Sequence, residues 1–484
     1  MNKVYLAIDF GAGSGRVIAG RFDGARLELE VIHRFPNEPI TLPTGIYWGL
    51  AGLYQQAFNG LRMALARWPE GIVSAGVDSW GLDYAHMTSG GEMLGLPRCY
   101  RDPRTEGMME KLWEAAPRSE IYRRTGIQAM RINPLVQLFS EAQARSPILA
   151  HSERLLLVAD VINFFLTGRM VNERTLASTT QLYDPRSGDW DRELIGKVGL
   201  PPRIFGEIID PGELVGRADI DGRALDIVAV GAHDTASAVA ATPLRDKHAA
   251  YASSGTWTLI GLELPSPVLT AAAEEQNFTN EVGVSNTIRL LKNRTGMWLL
   301  QECKRHWEAE DGADIGYAEL DAWAAACAPF PGFIDPDAES LLPPGDMPGR
   351  IREALRESGQ PAPAGRGPIV RIILESLALK YRHSIEALEK AAGESIQQLH
   401  IVGGGAQNKT LNQFVANALG RPVIAGPVEA TAIGNILVQM QADGAIDSIA
   451  AGRQLVRDSF PAERFEPAGT RPWRQAYERF LKTF

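Results

Sequence analysis

Apolar positions along the chain alternate between short runs of strand character and longer stretches with helical spacing. Val4 to Phe10 and Gly71 to Val77 are apolar runs that predict buried strands. Between them, residues 50–68 place apolar side chains about one helical turn apart, which predicts a helix. The chain therefore reads as an alternation of strands and helices, with glycines and polar residues where the strands end.

The central stretch GAHDTASAV follows another apolar run, Ile227 to Val230, which also predicts a buried strand. His233, Asp234 and Thr235 then open a run of small residues that favours a tightly packed helix. The polar trio has two interpretations at this point. It is either a helix cap, since Asp and Thr accept bonds from free N–H groups, or part of a catalytic site.

The first glycine-rich turn lies in KVYLAIDFGAGSGRVIAGRF, between two runs of strand character. A dinucleotide fingerprint would need G-x-G-x-x-G leading into a helix, so the sequence predicts a β-hairpin instead. Successive backbone N–H groups in such a turn can bind phosphate. Asp9, just before the turn, could help to hold Mg²⁺ through water; the alternative is a plain hairpin with an acidic residue.

Residues 248–261 repeat this layout of strand, small-residue turn and strand. The repeat predicts two halves of similar fold that face each other across a cleft. Later, Gly403 to Gly405 separate a strand from a helix and allow a ring or a phosphate to approach the backbone.

Three further segments complete the organisation of the chain. Residues 201–226 and 329–367 are rich in Pro and Gly and predict surface segments, and residues 473–484 predict an amphipathic helix. The polar cluster from Tyr100 to Arg104 either grips hydroxyl groups or forms an internal Arg–Asp pair.

Composition narrows the classes of partner and compartment. A length of 484 residues predicts two or three domains. The net charge of -9 without a basic stripe argues against nucleic acid and anionic membranes as partners. Three distant cysteines, with neither a signal peptide nor a spanning segment, predict a cytoplasmic protein without disulfides or structural zinc.

Taken in order, the motifs IDFGAGSGR, GVDSWGLDY, YRDPRT, GAHDTASAV, SSGTWTLIG, NFTNE, LLKNRTGMWLLQE and LHIVGGGAQNKTLNQF resemble those of the FGGY family of sugar kinases. The resemblance covers nearly the whole chain. It implies an α/β fold with two duplicated actin/Hsp70-like (ribonuclease H-like) domains and a cleft between them. Residues 1–243 would form the first domain and residues 244–484 the second, with helix 473–484 packing back.

The resemblance also implies a reaction: ATP-dependent phosphorylation of L-rhamnulose at O1 in L-rhamnose catabolism, with domain closure over the cleft. Asp234 would be the general base. The sugar would contact Asp234 itself and four further residues: Gly81, His233, Thr235 and Asn293. ATP would bind to a set drawn from both halves: Ala12, Gly13, Ser14, Gly15, Arg16, Thr256, Gln301 and Gly404. Asp9 would help to hold Mg²⁺. Gly13 stands where the family often has Ser.

Two other functions stay open at this point. The chain could be a kinase for another ketose, such as L-fuculose or L-xylulose, because one sequence does not show the stereochemistry of a pocket. It could also be a non-catalytic ATP-binding protein of the same fold, although an intact Asp234 argues against this. The expected small-molecule partners are a ketose and ATP, and the chain would be a monomer or a homodimer.

Overall fold

The predicted mixture of strands and helices forms in the computed structural model, which describes residues 3–484. The strands up to residue 243 are β1 (Lys3–Phe10), β2 (Ser14–Phe22), β3 (Leu27–Pro36), β4 (Ile40–Leu42), β5 (Gly45–Tyr47), β6 (Ile72–Ser79), β7 (Tyr84–Met87), β8 (Arg154–Leu157), β9 (Asn172–Glu173), β10 (Tyr183–Asp184), β11 (Asp189–Trp190), β12 (Ile208–Ile209), β13 (Leu214–Ile220) and β14 (Arg223–Val228). The helices of this part are α1 (Leu50–Arg67), α2 (Met108–Ala115), α3 (Arg118–Thr125), α4 (Pro134–Gln143), α5 (Pro147–His151), α6 (Val158–Thr167), α7 (Arg174–Ala177), α8 (Arg192–Lys197) and α9 (Asp234–Ala241).

The second part of the chain repeats the alternation. Its strands are β15 (Ala249–Ser254), β16 (Trp257–Leu264), β17 (Thr279–Val282), β18 (Ile288–Thr295), β19 (Gln398–Val402), β20 (Val423–Ala425) and β21 (Glu463–Phe465). Its helices are α10 (Ala271–Glu275), α11 (Trp298–Asp311), α12 (Tyr317–Ala325), α13 (Met347–Glu357), α14 (Arg366–Ala392), α15 (Lys409–Leu419), α16 (Ala430–Ala442), α17 (Ile449–Ser459) and α18 (Thr470–Thr483).

The chain divides into two structural units whose boundaries do not follow the sequence order. Unit 1 is built from three segments, Met1–Pro243, Glu263–Leu290 and Glu429–Phe460. Unit 2 comprises Leu244–Leu262, Leu291–Val428 and Pro461–Phe484. Two segments from the second part of the sequence therefore belong to unit 1.

The main sheet of unit 1 has the spatial order β13-β14-β6-β1-β2-β3. Strands β1, β2 and β3 are an antiparallel meander, as the hairpin prediction requires, whereas β1, β6 and β14 run parallel. Parallel neighbours end at the same edge of a sheet, where ligand sites of α/β folds gather. This edge carries the predicted site residues of unit 1.

One helix from the C-terminal segment covers part of this sheet. Helix α16 is buried along most of its length, and it packs against both the sheet and α9. The approach to α9 is so close that a Cβ atom on Gly434 would lie 1.7 Å from the carbonyl oxygen of Ser237. Glycine at position 434 is therefore required by the distance between the two helix backbones.

The main sheet of unit 2 has the same topology. It includes, in spatial order, β21, β20, β19, β15, β16 and β18. Strands β15 and β16 form an antiparallel hairpin, β15, β19 and β20 run parallel, and β21 is antiparallel to β20. The predicted repeat of one fold in the two halves of the sequence is thus visible strand by strand.

Two sequence predictions of surface segments were wrong. Residues 201–226 contain β13 and most of β14, because Val215, Ala218 and Ile220 of β13 are buried. Residues 329–367 contain α13, whose residues Met347, Ile351 and Leu355 recur every four positions and are buried. In both segments a single buried apolar face is enough to form a strand or a helix, even though many of the surrounding residues are typical of turns.

The predicted C-terminal amphipathic helix is α18, which packs within unit 2. The Trp473 ring lies 5.0 Å from that of Phe330 and 5.2 Å from that of Phe414.

Within residues 3–484, no helix combines the length and the apolarity needed to cross a membrane. The division of roles between residues 1–243 and 244–484 stays a prediction.

The contact between α9 and α16 predicts the effect of adding a single methyl group. Gly434→Ala should lower the free energy of unfolding by about 1–3 kcal/mol or more, because the new atom overlaps backbone that cannot rotate away. Gly52→Ala in α1 is the matched control, since a Cβ there meets nothing within 4 Å; it should stabilise by about 0.5–1 kcal/mol. Thermal melting of both variants checks this, and an unchanged melting temperature for Gly434→Ala would contradict the packing described here.

Candidate active site

The candidate site of unit 1 begins where parallel strands end side by side. Asp9 of β1 lies in register with Asp78 of β6. The amide of Ser79 donates to the carbonyl of Ala232 at 2.8 Å, which aligns the chain after β14 with the end of β6. His233 follows at once and forms a parallel bridge with Ser79. Main-chain pairing therefore places Asp9, Asp78 and His233 at one edge.

Asp78 is fully buried at this edge, and the family resemblance assigns it no role. Its Oδ2 accepts a hydrogen bond of 2.6 Å from Asn435 of α16, and its Oδ1 has no partner among the described residues. Burial raises the pKa of Asp78 well above its ordinary value, and the charges of Asp9 and Asp234 add to the rise. The three carboxylates are close enough to repel one another.

Arg16 partly offsets this negative charge. It stands directly opposite Asp9 in the β1–β2 hairpin, and its Nη2 lies 2.5 Å from Asp9 Oδ2. Its other terminal nitrogen contacts Glu429, just before α16. The guanidinium thus links the β1–β2 turn to the segment that returns from the C-terminal part of the chain.

Hydrogen bonds at its base hold the turn between β1 and β2. The amide of Gly11 donates to the carbonyl of Ser14 at 2.9 Å, and Asn37 Nδ2 donates to the carbonyl of Gly11 at 2.8 Å. Ala12 and Gly13 are exposed at the tip. A ligand can therefore reach their amides, while the base of the turn is fixed.

Helix α9 presents Asp234 as its first residue, with His233 as the N-cap. Asp234 Oδ1 accepts a hydrogen bond of 3.1 Å from Thr235 Oγ1 and lies 3.5 Å from His233 Nε2. Burial raises the pKa of Asp234, the His233 side chain opposes this rise and the Asp9 charge adds to it. Its side chain nevertheless remains 31% exposed, so a ligand can reach it.

Buried groups of α7 hold the chain that leads into α9. The amide of Ala232 donates to Glu173 Oε2 at 3.2 Å, and the amide of His233 donates to Thr175 Oγ1 at 3.2 Å. Burial raises the pKa of Glu173 to about 7. The backbone position of His233 is therefore set independently of its side chain.

Gly81, the last predicted site residue of unit 1, lies beside the imidazole ring of His233. A Cβ atom at this position would lie 3.3 Å from Thr179 Oγ1 and 3.5 Å from His233 Nε2. The missing side chain leaves room next to Nε2. The structure therefore brings together the predicted residues of unit 1: Asp9, Ala12, Gly13, Ser14, Gly15, Arg16, Gly81, His233, Asp234 and Thr235.

In unit 2 two predicted nucleotide residues touch each other. Thr256 Oγ1 donates to Gln301 Oε1 at 3.1 Å. The carbonyl of Thr256 accepts from the amide of Gly296 at 3.0 Å, so the β15–β16 turn lies against the end of β18. Asn293 belongs to that strand, three residues before Gly296.

Gly404 follows β19, the parallel neighbour of β15. Gly403 and Gly405 are packed on Ser254, where Cβ atoms would lie 2.8 Å and 2.1 Å from its oxygens. A Cβ on Gly404 would meet nothing within 4 Å. The outer glycines therefore serve the packing, and the middle one faces open space.

Within residues 3–484, no group of three or more His, Cys, Asp or Glu side chains has the geometry to hold a metal directly. The repulsion among Asp9, Asp78 and Asp234 nevertheless fits a divalent cation nearby. Phosphate-bound Mg²⁺ keeps several water ligands and often meets proteins through them. The donor set is thus compatible with a cation held through water.

Comparison with known proteins identifies the family. The chain is 43% identical over 486 residues to a protein named "Rhamnulokinase" from Bacteroides thetaiotaomicron, and the match covers 99% of each chain. The models of the N-terminal and C-terminal domains of the FGGY family of carbohydrate kinases match residues 4–241 and 250–442. The chain belongs to the FGGY family of carbohydrate kinases.

Other FGGY relatives are also similar over the full length. A "Rhamnulokinase" from Bacillus subtilis (strain 168) is 37% identical over 470 residues, which covers 96% of this chain and 95% of that protein. Carbohydrate kinases of this family use ATP.

Solved structures support the fold class. A ligand-bound xylulose kinase from Lactobacillus acidophilus aligns with a TM-score of 0.81 at 12% identity, covering 99% of this chain and 97% of that one. A Plasmodium falciparum glycerol kinase with ADP aligns with a TM-score of 0.77 at 14% identity, covering 99% and 98%. The predicted actin/Hsp70-like fold is confirmed.

The structure also shows groups that sequence reasoning missed. Asp78 belongs to the motif GVDSWGLDY, whose pattern taken alone slightly favours a hairpin turn with solvated acids over a ligand-binding edge at the end of a strand. Three residues from segments far along the chain contact the site of unit 1: Glu281, Arg289 and Asn435. Of these, only Glu281 belongs to a motif that the sequence analysis singled out, NFTNE. In the cluster from Tyr100 to Arg104, Asp102 pairs with Arg98 and Arg104.

The surroundings of the β1–β2 turn predict opposite outcomes for two of its glycines. Gly13→Ser should leave the KM for ATP within about twofold, because surface changes away from packed groups cost little and a Cβ there meets nothing within 4 Å. Gly15→Ala should raise that KM and lower the melting temperature, because its Cβ would lie 2.1 Å from the buried Phe35 ring. Steady-state kinetics with ATP varied, together with thermal melting, test the pair; equal effects of the two changes would refute this interpretation of the turn.

Proposed function

We propose that this chain catalyses ATP-dependent phosphorylation of L-rhamnulose at O1, giving L-rhamnulose 1-phosphate and ADP in L-rhamnose catabolism. The observation that carries the choice of substrate is the full-length similarity to rhamnulokinases, at 43% and 37% identity. The geometry of unit 1 supports a kinase, since it presents a reachable carboxylate beside a glycine-rich turn.

In this proposal Asp234 is the general base. Phosphoryl transfer needs an aligned hydroxyl, neutralised phosphate charge and a group that accepts the proton. Asp234 takes the proton of the C1 hydroxyl as the hydroxyl oxygen attacks the γ-phosphorus of ATP. The bond between the γ-phosphorus and the bridging β-phosphate oxygen breaks, and ADP leaves. Thr235 holds one carboxylate oxygen through its 3.1 Å hydrogen bond, which leaves the other oxygen to meet the sugar. A positioned base typically contributes about 10²–10⁴-fold in rate.

The sugar would be oriented by His233, Gly81 and Asn293. The imidazole and the asparagine amide can donate to hydroxyl oxygens. Gly81 leaves space next to His233 Nε2, as its neighbouring distances indicate. These residues would bring O1 to Asp234.

ATP would be bound by two glycine-rich turns. The amides of residues 12–15 would donate to the phosphates, as expected of a nest of successive N–H groups. Arg16 would contribute a fixed positive charge next to Asp9. In unit 2, Thr256, Gln301 and Gly404 would contact the nucleotide, and the exposed, unhindered position of Gly404 supports this.

Mg²⁺ would be held through water by Asp9, beside the buried Asp78. When bound it supplies positive charge that neutralises the transferring phosphate. The orphaned Oδ1 of Asp78 and the mutual repulsion of the carboxylates support this assignment.

Three features of the proposed enzyme stay predictions. It would act in the cytoplasm, as the sequence leads us to expect. It would be a monomer or a homodimer. Residues 1–243 would supply the sugar site and the base, and residues 244–484 the nucleotide contacts.

The substrate is tested by coupled ADP release with Mg-ATP and a panel of L-rhamnulose, L-fuculose, L-xylulose, D-xylulose and glycerol. We expect the highest kcat/KM with L-rhamnulose. A higher value with another ketose would retain the kinase and reject the proposed sugar. Absence of sugar-dependent turnover with every acceptor would reject the kinase proposal and favour an ATP-binding protein without this activity.

Replacing the base tests the mechanism. Asp234→Asn should reduce kcat by about 10²–10⁴-fold while nucleotide binding by calorimetry stays the same, because the amide cannot accept the proton. Asp226→Asn on β14 is the matched control; its carboxylate pairs only at the surface with Arg217, and such pairs contribute little. Near-normal turnover of Asp234→Asn would exclude Asp234 as the base.

A further inference from the structure

The side of the His233 ring opposite Asp234 meets a buried ion pair that the mechanism has not used. His233 Nδ1 lies 3.1 Å from Arg289 Nη2 and 3.1 Å from Glu281 Oε2. Arg289 Nη2 and Glu281 Oε2 are themselves 3.1 Å apart. Arg289 is fully buried and Glu281 nearly so. The imidazole therefore sits between the ion pair and the position of the sugar.

Both members of the pair come from the segment Glu263–Leu290, which belongs to unit 1. Glu281 lies on β17 and Arg289 on β18. Arg289 is anchored by two bonds to the carbonyl of Val282, of 3.3 Å from Nε and 3.1 Å from Nη2. Its side chain therefore has a fixed direction even without the imidazole.

The chemistry of arginine settles which way the hydrogen bond to His233 runs. Glu281 Oε2 lies equally close to Nδ1 but has no hydrogen-bond partner among the described residues, whereas Arg289 Nη2 is hydrogen-bonded to Nδ1. A guanidinium only donates, so Nδ1 accepts. A neutral imidazole that accepts at Nδ1 carries its proton at Nε2. That proton points to the side where Asp234 Oδ1 lies 3.5 Å away and where Gly81 leaves room.

Glu281 offsets the free-energy cost of burying the Arg289 guanidinium. A buried charge costs several kcal/mol unless it is paired. Burial works against ionisation of Glu281, but the charge of Arg289 opposes it, and the pKa of the carboxyl group lies below its ordinary value. The carboxylate is thus charged and balances Arg289.

We propose that the Glu281–Arg289 pair is a positioning pair for the sugar site: it fixes His233 in the tautomer with a bare Nδ1 and an Nε2–H, aimed at a sugar hydroxyl. The pair acts through His233 and does not itself touch substrate. This inference rests on the proposed function for the identity of the sugar, but the tautomer of His233 can be measured without it.

The first test is spectroscopic and uses the full chain without ligand. Histidine side-chain ¹⁵N–¹H correlation spectra distinguish a protonated ring nitrogen from a bare one, and His233→Asn identifies the signal. We expect a bare Nδ1 and a protonated Nε2 at neutral pH. A protonated Nδ1 with a bare Nε2 would overturn the proposal, whichever sugar the enzyme uses.

The second test replaces the pair in two ways. Glu281→Leu with Arg289→Met removes both charges and every donor, and apolar replacement of a buried ion pair is often neutral for stability. Glu281→Gln with Arg289→Gln also removes both charges but retains an amide donor that can face Nδ1. Arg124→Gln with Asp191→Asn is the control, because this pair is also partly buried in unit 1 but has no role in the site.

The apolar double variant should lower kcat/KM for L-rhamnulose by about 10–100-fold, as for other groups that orient a functional histidine, and leave the KM for ATP within about twofold. The glutamine pair should recover most of this loss, and the control should behave as wild type. Wild-type sugar kinetics in a folded apolar variant would overturn the proposal. If the apolar variant does not fold, equal losses in the glutamine pair and in His233→Asn would also overturn it.

These outcomes are separable from those of the substrate panel. If the wild type does not phosphorylate L-rhamnulose, the proposed function fails while the ¹⁵N spectrum still tests the positioning pair. If the wild type is active and its His233 carries the opposite tautomer, the inference fails and the proposed function stands.

Discussion

The parallel pairing of β1 with β6, continued by the chain after β14, is the constraint on which the site of unit 1 depends. Because the register is fixed by main-chain hydrogen bonds, Asp9, Asp78 and His233 must end at one edge. The edge therefore concentrates negative charge in a partly dry environment, where repulsion between carboxylates is strong. Arg16 reduces this repulsion by pairing with Asp9, and Asn435 stabilises Asp78 with a hydrogen bond.

The three buried or partly buried carboxyl groups Glu281, Asp78 and Asp234 differ in how their surroundings shift the pKa and in how far the side chain is exposed. The charge of Arg289 favours the ionised form of Glu281, whereas burial raises the pKa of Asp78. Asp234 lies between these extremes, partly exposed, at the first position of a helix. The positive end of the helix dipole favours a charged carboxylate at that position, although burial raises its pKa, and the side chain is accessible to a hydroxyl group.

Much of this arrangement could be predicted from sequence, because its parts are local. The β1–β2 hairpin and the start of α9 follow from apolar runs that end in glycine or polar residues, and the family motifs pointed to Asp234. Glu281, Arg289 and Asn435 could not be assigned roles in this way, since their partners lie far away in sequence and no periodicity links them. The strand β13 was missed because an edge strand needs only one buried face, and turn residues surround it.

The inclusion of Glu429–Phe460 in unit 1 has a consequence for synthesis of the chain. Helix α16 packs on β1 and β6, and its Ile436 side chain fits against Gly20. At about 5–20 residues per second, a ribosome needs roughly 10–40 s after residue 243 to make this segment. Throughout that interval the nascent sheet has an uncovered apolar face. Residues 3–243 therefore cannot complete the folding of unit 1 before the C-terminal segment is synthesised. Expressed alone, they would expose the surface that α16 normally covers.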